Sequence, residues 1–290
     1  MRASAFVPGH ITGFFKPFEE EEPLRSGSIG CGVVISKGVK TEVAVEESDA
    51  SSIKISLNGN VGEYPVSSYV VNEILGLASG SYDVEVFHEC EVPISQGFGA
   101  SAAAALGTAI AMSKALEIPL TLNKCGEIAH KAEIFHRTGL GDVIAQCNGG
   151  LAVRLAPGSP GVGVVDRIPC DLSVVSWIVG PPLKTREVLE DEKKKTLLAS
   201  VGWRSMDELL KHPDAENFMS ISRRFADDSG LMSKSVRSAV KILDEENITA
   251  SMVMLGNAIF TLTRDFDAME GLLEHPMIVA DIDESGGRLL

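Results

Sequence analysis

The sequence predicts an α+β protein in two parts, a strand-rich first half and a helix-rich second half. Three observations predict it. Up to about residue 156, Gly, Ser, Val and Ala dominate, and β-branched runs alternate with turn residues. The cluster Pro157-Gly158-Ser159-Pro160-Gly161 then interrupts the chain. Beyond it, residues 183–241 are mostly charged, helical in pattern and poor in Gly. A length of 290 residues suits one large domain or two modest ones. The boundary is placed near 157–165, dividing the chain into 1–160 and 161–290.

Residues 33–35, 42–45, 53–57 and 84–86 predict strands, because they are enriched in Val and Ile between turn residues. Asn58-Gly59-Asn60 is a hairpin signal. Residues 68–76 predict a short helix. Residues 101–116 predict a strong one, alanine-dense and followed by Pro119. A further helix is expected over 122–136, capped near Asn123. Gly149-Gly150 then introduces a strand over 151–155. In the second half, 173–179 is an apolar, β-branched strand, 250–262 is apolar again, and 277–282 reads as the last strand before Glu284-Ser285-Gly286-Gly287. The sequence shows no internal repeat and no low-complexity tract.

Composition excludes several classes of function. Hydrophobic residues make up 44% and charged residues 23%, the balance of a soluble globular chain rather than a disordered or membrane-spanning one. The formal charge of −14 argues against nucleic acid or an anionic membrane as partner, since no excess of cations exists to release counterions. An anionic substrate must therefore be held by a few placed cations and backbone N–H groups. The five cysteines are scattered and form no C-x-x-C pair, so reduced thiols packed as small hydrophobes are expected. Pro8, Gly9 and His10 stand where a signal peptide needs an unbroken apolar stretch, and the run 102–112 is too short to span a bilayer. A cytoplasmic protein is expected.

The most informative stretch is Pro93-Ile94-Ser95-Gln96-Gly97-Phe98-Gly99-Ala100-Ser101-Ala102-Ala103. It follows a strand and opens directly into the alanine helix. Gly97 and Gly99 let backbone N–H groups approach a ligand without obstruction by Cβ. The helix N-terminus adds unpaired donors and partial positive charge, which together make a phosphate cradle. Ser101, in the first turn, has a hydroxyl to offer to phosphate or Mg²⁺. The spacing matches neither the P-loop nor the dinucleotide fingerprint. The alternative is a glycine turn followed by an ordinary helix cap.

Glu133 lies near the end of the 122–136 helix, and Asp142 follows on a loop flanked by glycines. Such a pair suits Mg²⁺ binding, which takes one or two carboxylates plus phosphate oxygens, and activation of an acceptor hydroxyl. Surface solvation is the competing role for both acids. His130 shares a helix face with Glu133 and is a candidate to orient an acceptor, or else a satisfied, partly buried His. Arg154, in the strand after Gly149-Gly150, either sits exposed at an edge or clamps a substrate carboxylate with its planar fork. Ser28 belongs to a second Gly/Ser loop able to hydrogen-bond a substrate, or to a plain loop. Lys193-Lys194-Lys195 reads as a solvated helix face.

Pro8-Gly9-His10-Ile11, the Pro93 to Ala103 stretch and the Glu133 to Asp142 segment occur in an order that resembles the GHMP kinase superfamily. The middle stretch is similar to its P-x-x-x-G-L-G-S-S-A-A motif, with Phe98 for Leu and Ala100 for the first Ser. Pro8-Gly9-His10-Ile11-Thr12-Gly13-Phe14-Phe15 and the segment from Ser251 to Phe260 look like the archaeal pantoate kinase branch. Only Gly256 stands where most members carry a glycine-rich third motif, a departure that disfavours mevalonate and homoserine kinases. The resemblance implies a two-lobed fold, with a ribosomal-protein-S5-like first domain, a ferredoxin-like second one, and ATP and acceptor in the cleft between them. It implies that Pro93, Gly97, Phe98, Gly99, Ala100, Ser101 and Ala102 hold the ATP phosphates. By the same resemblance Ser101 and Glu133 bind Mg²⁺, Asp142 is the acceptor-side carboxylate, and Ser28, His130 and Arg154 hold pantoate, which becomes 4-phosphopantoate. A homodimer is a family-level expectation. Another small alcohol as acceptor, a GHMP-type decarboxylation or a non-catalytic nucleotide-binding role stays open.

Overall fold

The computed structural model describes residues 1–182 and 192–290. Its larger sheet is built on one long antiparallel ribbon. Strand β1, Arg2–Phe18, pairs with β2, Gly27–Glu47, from Arg2↔Ala44 to Phe18↔Gly27, with register shifts at Pro8/Gly9 and Thr12/Phe14. Shifts of this kind add twist and re-aim side chains, and proline without an N–H is tolerated beside them. Strand β5, Tyr82–Cys90, pairs antiparallel with β2, and β3, Ser52–Leu57, lies parallel to β5. The short β4, Asn60–Val61, completes a hairpin whose turn residues Asn58 and Gly59 have φ of 49° and 80°. Strand β6, Leu151–Ala156, pairs with the Gly30 to Val33 part of β2, and β7, Val164–Ile168, pairs with β6.

Four helices cover this sheet: α1, Pro65–Leu75; α2, Ala100–Ala115; α3, Leu122–His136; and α4, Asp142–Asn148. Helix α2 is buried almost all round, as expected of a helix without a polar face. Its small residues bring it close to the sheet: a Cβ at Gly107 would stand 2.6 Å from Thr41 Oγ1. The second lobe has four antiparallel strands, β8 (Ser173–Ile178), β9 (Ser251–Met252), β10 (Ala258–Thr263) and β11 (Met277–Asp281), in the order β11-β8-β10-β9. Helices α5, Glu192–Lys211, α6, Ala215–Asp228, and α7, Lys234–Glu245, accompany them. The core runs through both lobes. Phe14 of β1 lies 6.4 Å from Phe218 and 6.3 Å from Phe225 of α6 between ring centroids, and Phe15 lies 5.9 Å from Phe225.

The α+β class and the two-lobed arrangement match the expectation, and several details differ. The two strands expected over 33–35 and 42–45 are one strand, because Gly38 packs against Val7 O and lets β2 continue past the bulge. The N-terminal strand β1 was not anticipated, since Pro8, Gly9 and Gly13 mask its pattern. Thr121, not Asn123, caps α3 by accepting from the Lys124 N–H. Asp142 opens a helix instead of lying in a loop. The 160/161 boundary falls in the turn between β6 and β7, which both belong to the larger sheet. That sheet also recruits β12, Arg288–Leu289, beside β1 after the strand expected to be last. The region 250–262 is two strands with a turn over 254–257 between them. Helix occupies 192–211, 215–228 and 234–245, while 183–191 of the helical region lies outside the described residues, as does the Lys193 side chain. Lys195 is only partly solvated and pairs with Glu19 at 2.8 Å. The five cysteines are free thiols. Among the described residues, no helix is long and apolar enough to cross a membrane.

Candidate active site

A cavity of about 550 Å³ opens where α2, α3, α4 and the 254–255 turn converge. Gly97, Phe98, Gly99, Ala100, Ser101 and Ala102 line it. The loop reaches α2 through residues that only glycine fits. Gly97 has φ of +83°, and a Cβ there would lie 2.4 Å from Met254 O. Gly99, at φ +67°, is the N-cap of α2 and would bring a Cβ within 2.8 Å of Gln146 Nε2. No side chain among the described residues caps this helix, so its first N–H groups remain available beside the cavity. Pro93 precedes the loop and lies outside the lining.

Beside that N-terminus, Ser101 Oγ donates to Glu133 Oε1 at 2.6 Å, and Thr138 Oγ1 donates to the same oxygen at 2.7 Å. Glu133 is 2% exposed. Burial pushes its carboxyl up to about 7, against the opposing effect of those two hydroxyls, and Asp142 nearby adds to the rise. A Cβ at Gly139 would stand 2.4 Å from Glu133 Oε2 and 3.1 Å from Asp142 Oδ2, so both oxygens border the same glycine. The two acids are therefore brought together, one buried and one half-open at the start of α4. Among the described residues, no group of three His, Cys, Asp or Glu side chains could hold a metal ion by itself.

Asp142 Oδ1 accepts from His10 Nδ1 at 2.6 Å, and Arg154 Nη1 donates to His10 Nε2 at 3.2 Å. Arg154 is 1% exposed, in β6 between two neighbouring strands, so the edge-exposed alternative is excluded. Burial holds its guanidinium below its ordinary value, and its Nε finds no hydrogen-bond partner among the described residues. A buried guanidinium with a spare donor at a cavity wall is suited to a carboxylate. Ser28 is buried beside it: a Cβ at Gly141 would lie 2.4 Å from Ser28 Oγ and 2.8 Å from Arg154 Nε. Both Ser28 and Arg154 line the cavity. His130 does not. It is buried, its Nε2 donates to Ser26 O at 2.9 Å, and burial lowers its pKa. It fixes the backbone two residues before Ser28, which corresponds to the satisfied-histidine alternative.

Sequence reasoning missed Thr138, Gln146 and the contribution of Met254 and Leu255. Gln146 Nε2 donates to Gly99 O at 2.9 Å, and Met254 and Leu255 line the cavity from the second lobe. Thr138 carried a faint signal, a hydroxyl just past a helix end that carries Glu133. His10 stood in the Pro8-Gly9-His10 motif without a stated role.

Residues 65–150 match the family model of the GHMP kinases N terminal domain. The chain is 37% identical over 278 residues to the pantoate kinase of Thermococcus kodakarensis, covering 92% of this chain and 90% of that protein. It is 38% identical over 266 residues to the pantoate kinase of Methanospirillum hungatei, covering 90% and 87%. A solved structure described as a phosphotransferase related to the CoA biosynthesis pathway superposes with a TM-score of 0.91 at 34% identity, covering 100% of this chain and 99% of that one. The motif order, the two-lobed architecture and these relatives agree: the chain belongs to the GHMP kinase superfamily, in its pantoate kinase family.

Proposed function

We infer that this protein is a small-molecule kinase that transfers the γ-phosphoryl group of ATP to the primary hydroxyl of (R)-pantoate, giving 4-phosphopantoate for coenzyme A synthesis. The observation that carries this reading is the convergence on one cavity of an uncapped helix N-terminus, two carboxylates and a buried Arg with a spare donor. The family relationship supports it, since the curated relatives are pantoate kinases over nearly their whole length.

The N–H groups of residues 97–101 and the helix N-terminus hold the phosphates. Glu133 and the Ser101 hydroxyl fit Mg²⁺. A buried carboxylate with a raised pKa lacks a cation, and magnesium takes one or two carboxylates together with phosphate oxygens. The ion, when bound, neutralises charge on the β and γ phosphates. Arg154 and Ser28 bind the pantoate carboxylate and orient its hydroxyl toward the phosphate loop. Asp142 accepts the hydroxyl proton through its Oδ2 while the O–P bond forms and the bond to the ADP leaving group breaks. Phosphoryl transfer has a loose transition state, so positioning and charge stabilisation supply most of the acceleration. Loop and Arg154 donors, fixed before substrate arrives, serve that task in a protein whose overall charge repels anions.

ADP release measured across a panel of hydroxy acids and alcohols tests the reading. Pantoate is expected to give the highest kcat/KM. Preference for mevalonate or homoserine, or no acceptor-dependent turnover, would refute it.

A further inference from the structure

We propose that His10 is a positioning residue that couples the acceptor-binding Arg154 to Asp142 through a neutral imidazole of fixed tautomer. The proposal rests on the kinase reading above, because it gives His10 a task between two groups that reading employs. The side chain sits on β1, fully buried, far in sequence from its partners: 132 residues separate it from Asp142 and 144 from Arg154.

The tautomer follows from chemistry. A guanidinium can only donate. Since Arg154 Nη1 lies 3.2 Å from His10 Nε2, that nitrogen must accept and carries no proton. The ring proton is then on Nδ1, where it is donated to Asp142 Oδ1 at 2.6 Å. Burial lowers the pKa of His10, with Asp142 opposing and Arg154 reinforcing the effect, in keeping with a neutral ring. The ring is held at both nitrogens and packs against Gly32. A Cβ at Gly32 would stand 2.4 Å from Nε2, and the His10 N–H donates to Phe98 O in the phosphate loop.

The consequence is a division of labour between the two oxygens of Asp142. Oδ1 is held by His10, while Oδ2 is left toward Gly139 and the cavity, where the acceptor hydroxyl must arrive. On its other side the ring holds Nη1 of Arg154, while Nε, beside Gly141, has no partner among the described residues. One imidazole thus sets the angle of the base and of the carboxylate clamp together.

Two substitutions separate the halves. His10→Asn keeps a donor at the Nδ1 position but loses the acceptor for Arg154. His10→Gln keeps an acceptor at the Nε2 position but loses the donor to Asp142. His10→Asn is expected to raise the pantoate KM by roughly 10-fold, the loss of one charged hydrogen bond, with kcat near the parent value. His10→Gln is expected to lower kcat by about 10²-fold with a smaller change in KM. Equal losses in both variants, or none in either, would overturn the proposal and assign His10 to packing alone. Nitrogen-15 NMR of the unsubstituted protein gives a second test that needs no variant. A neutral Nδ1–H ring, with its proton signal shifted downfield, is expected. An imidazolium or an Nε2–H ring would overturn it. Pantoate turnover by the parent enzyme is measured in the same series: its absence refutes the kinase reading, whereas normal turnover with indifferent variants refutes only the role of His10.

Discussion

Two carboxylates nine positions apart in the sequence have different surroundings, Glu133 buried and Asp142 partly open. Asp142 is half-open at the start of α4 and bonded to His10, which suits a group that must meet the acceptor hydroxyl. Asp142→Ala is expected to leave nucleotide affinity close to that of the parent and to lower kcat by about 10²–10⁴-fold. Titration calorimetry with a nucleotide analogue beside steady-state kinetics checks this, and a matching loss of affinity would count against the role. Glu133 is buried and raised to about 7. Between its ordinary value of 4.5 and about 7 the folded protein holds a proton that the unfolded chain has released. Stability of the metal-free protein therefore falls as pH rises through that window. A shift of this size corresponds to a penalty of about 3 kcal/mol, fully present above the window. Glu133→Gln keeps an acceptor for Ser101 and Thr138 without the charge. Without Mg²⁺ it is expected to melt higher than the parent at pH 8, with the advantage vanishing near pH 4, while kinase activity is lost. A lower melting temperature at pH 8 would contradict this account of Glu133.

At the scale of the element, the loop proposed to hold phosphate packs closely on the 254–257 turn, where a Cβ at Gly97 would stand 2.4 Å from Met254 O. Gln96 locks that meeting. Its Nε2 donates to Gly180 O at 3.0 Å, and its Oε1 accepts from the Asn257 N–H at 2.9 Å. Gly97→Ala adds a Cβ 2.4 Å from Met254 O to a backbone at φ +83°. The left-handed conformation alone costs about 1–2 kcal/mol for an L-residue. The variant is expected to show an ATP KM raised by an order of magnitude or more and a lower melting temperature; an unchanged ATP KM would separate the loop from nucleotide binding. The geometry of this element was legible from sequence, since Gly97 and Gly99 between a strand and an alanine helix mark a left-handed entry into α2. The helices over 101–116 and 122–136 were legible from period and breaker for the same local reason. Strand β1 was not, because its bulges at Pro8/Gly9 and Thr12/Phe14 are imposed by pairing with β2, which no local pattern records. The end of α3 illustrates the same limit. Arg137 in the left-handed conformation, at φ 55°, brings Thr138 back onto Glu133.

On the scale of the whole molecule, the cleft exists because two sheets share one core. The first lobe's β1 sends Phe14 and Phe15 against Phe218 and Phe225. A Cβ at Gly13 would meet Ser222 Oγ at 2.2 Å, so the lobes are in contact at full packing density. Phe14→Ala is expected to destabilise by about 3–5 kcal/mol and to shift one unfolding transition rather than splitting it into two. Two resolved transitions in the parent protein would contradict the shared core. This coupling was hidden in the sequence, where the turn cluster at 157–161 suggested a clean break. The strands on either side of that cluster belong to the same sheet, and the C-terminal β12 returns to it. The pairing of His10 with Asp142 and Arg154 is likewise a product of tertiary packing: it joins β1, α4 and β6, three elements with no local reason to meet. A crystal structure with a non-hydrolysable ATP analogue, Mg²⁺ and pantoate tests the central claim most directly. It is expected to show the phosphates on the N–H groups of residues 97–101, with the pantoate carboxylate on Arg154 and its primary hydroxyl at Asp142. A triphosphate bound away from the α2 N-terminus, or a pantoate carboxylate making no contact with Arg154, would contradict the account.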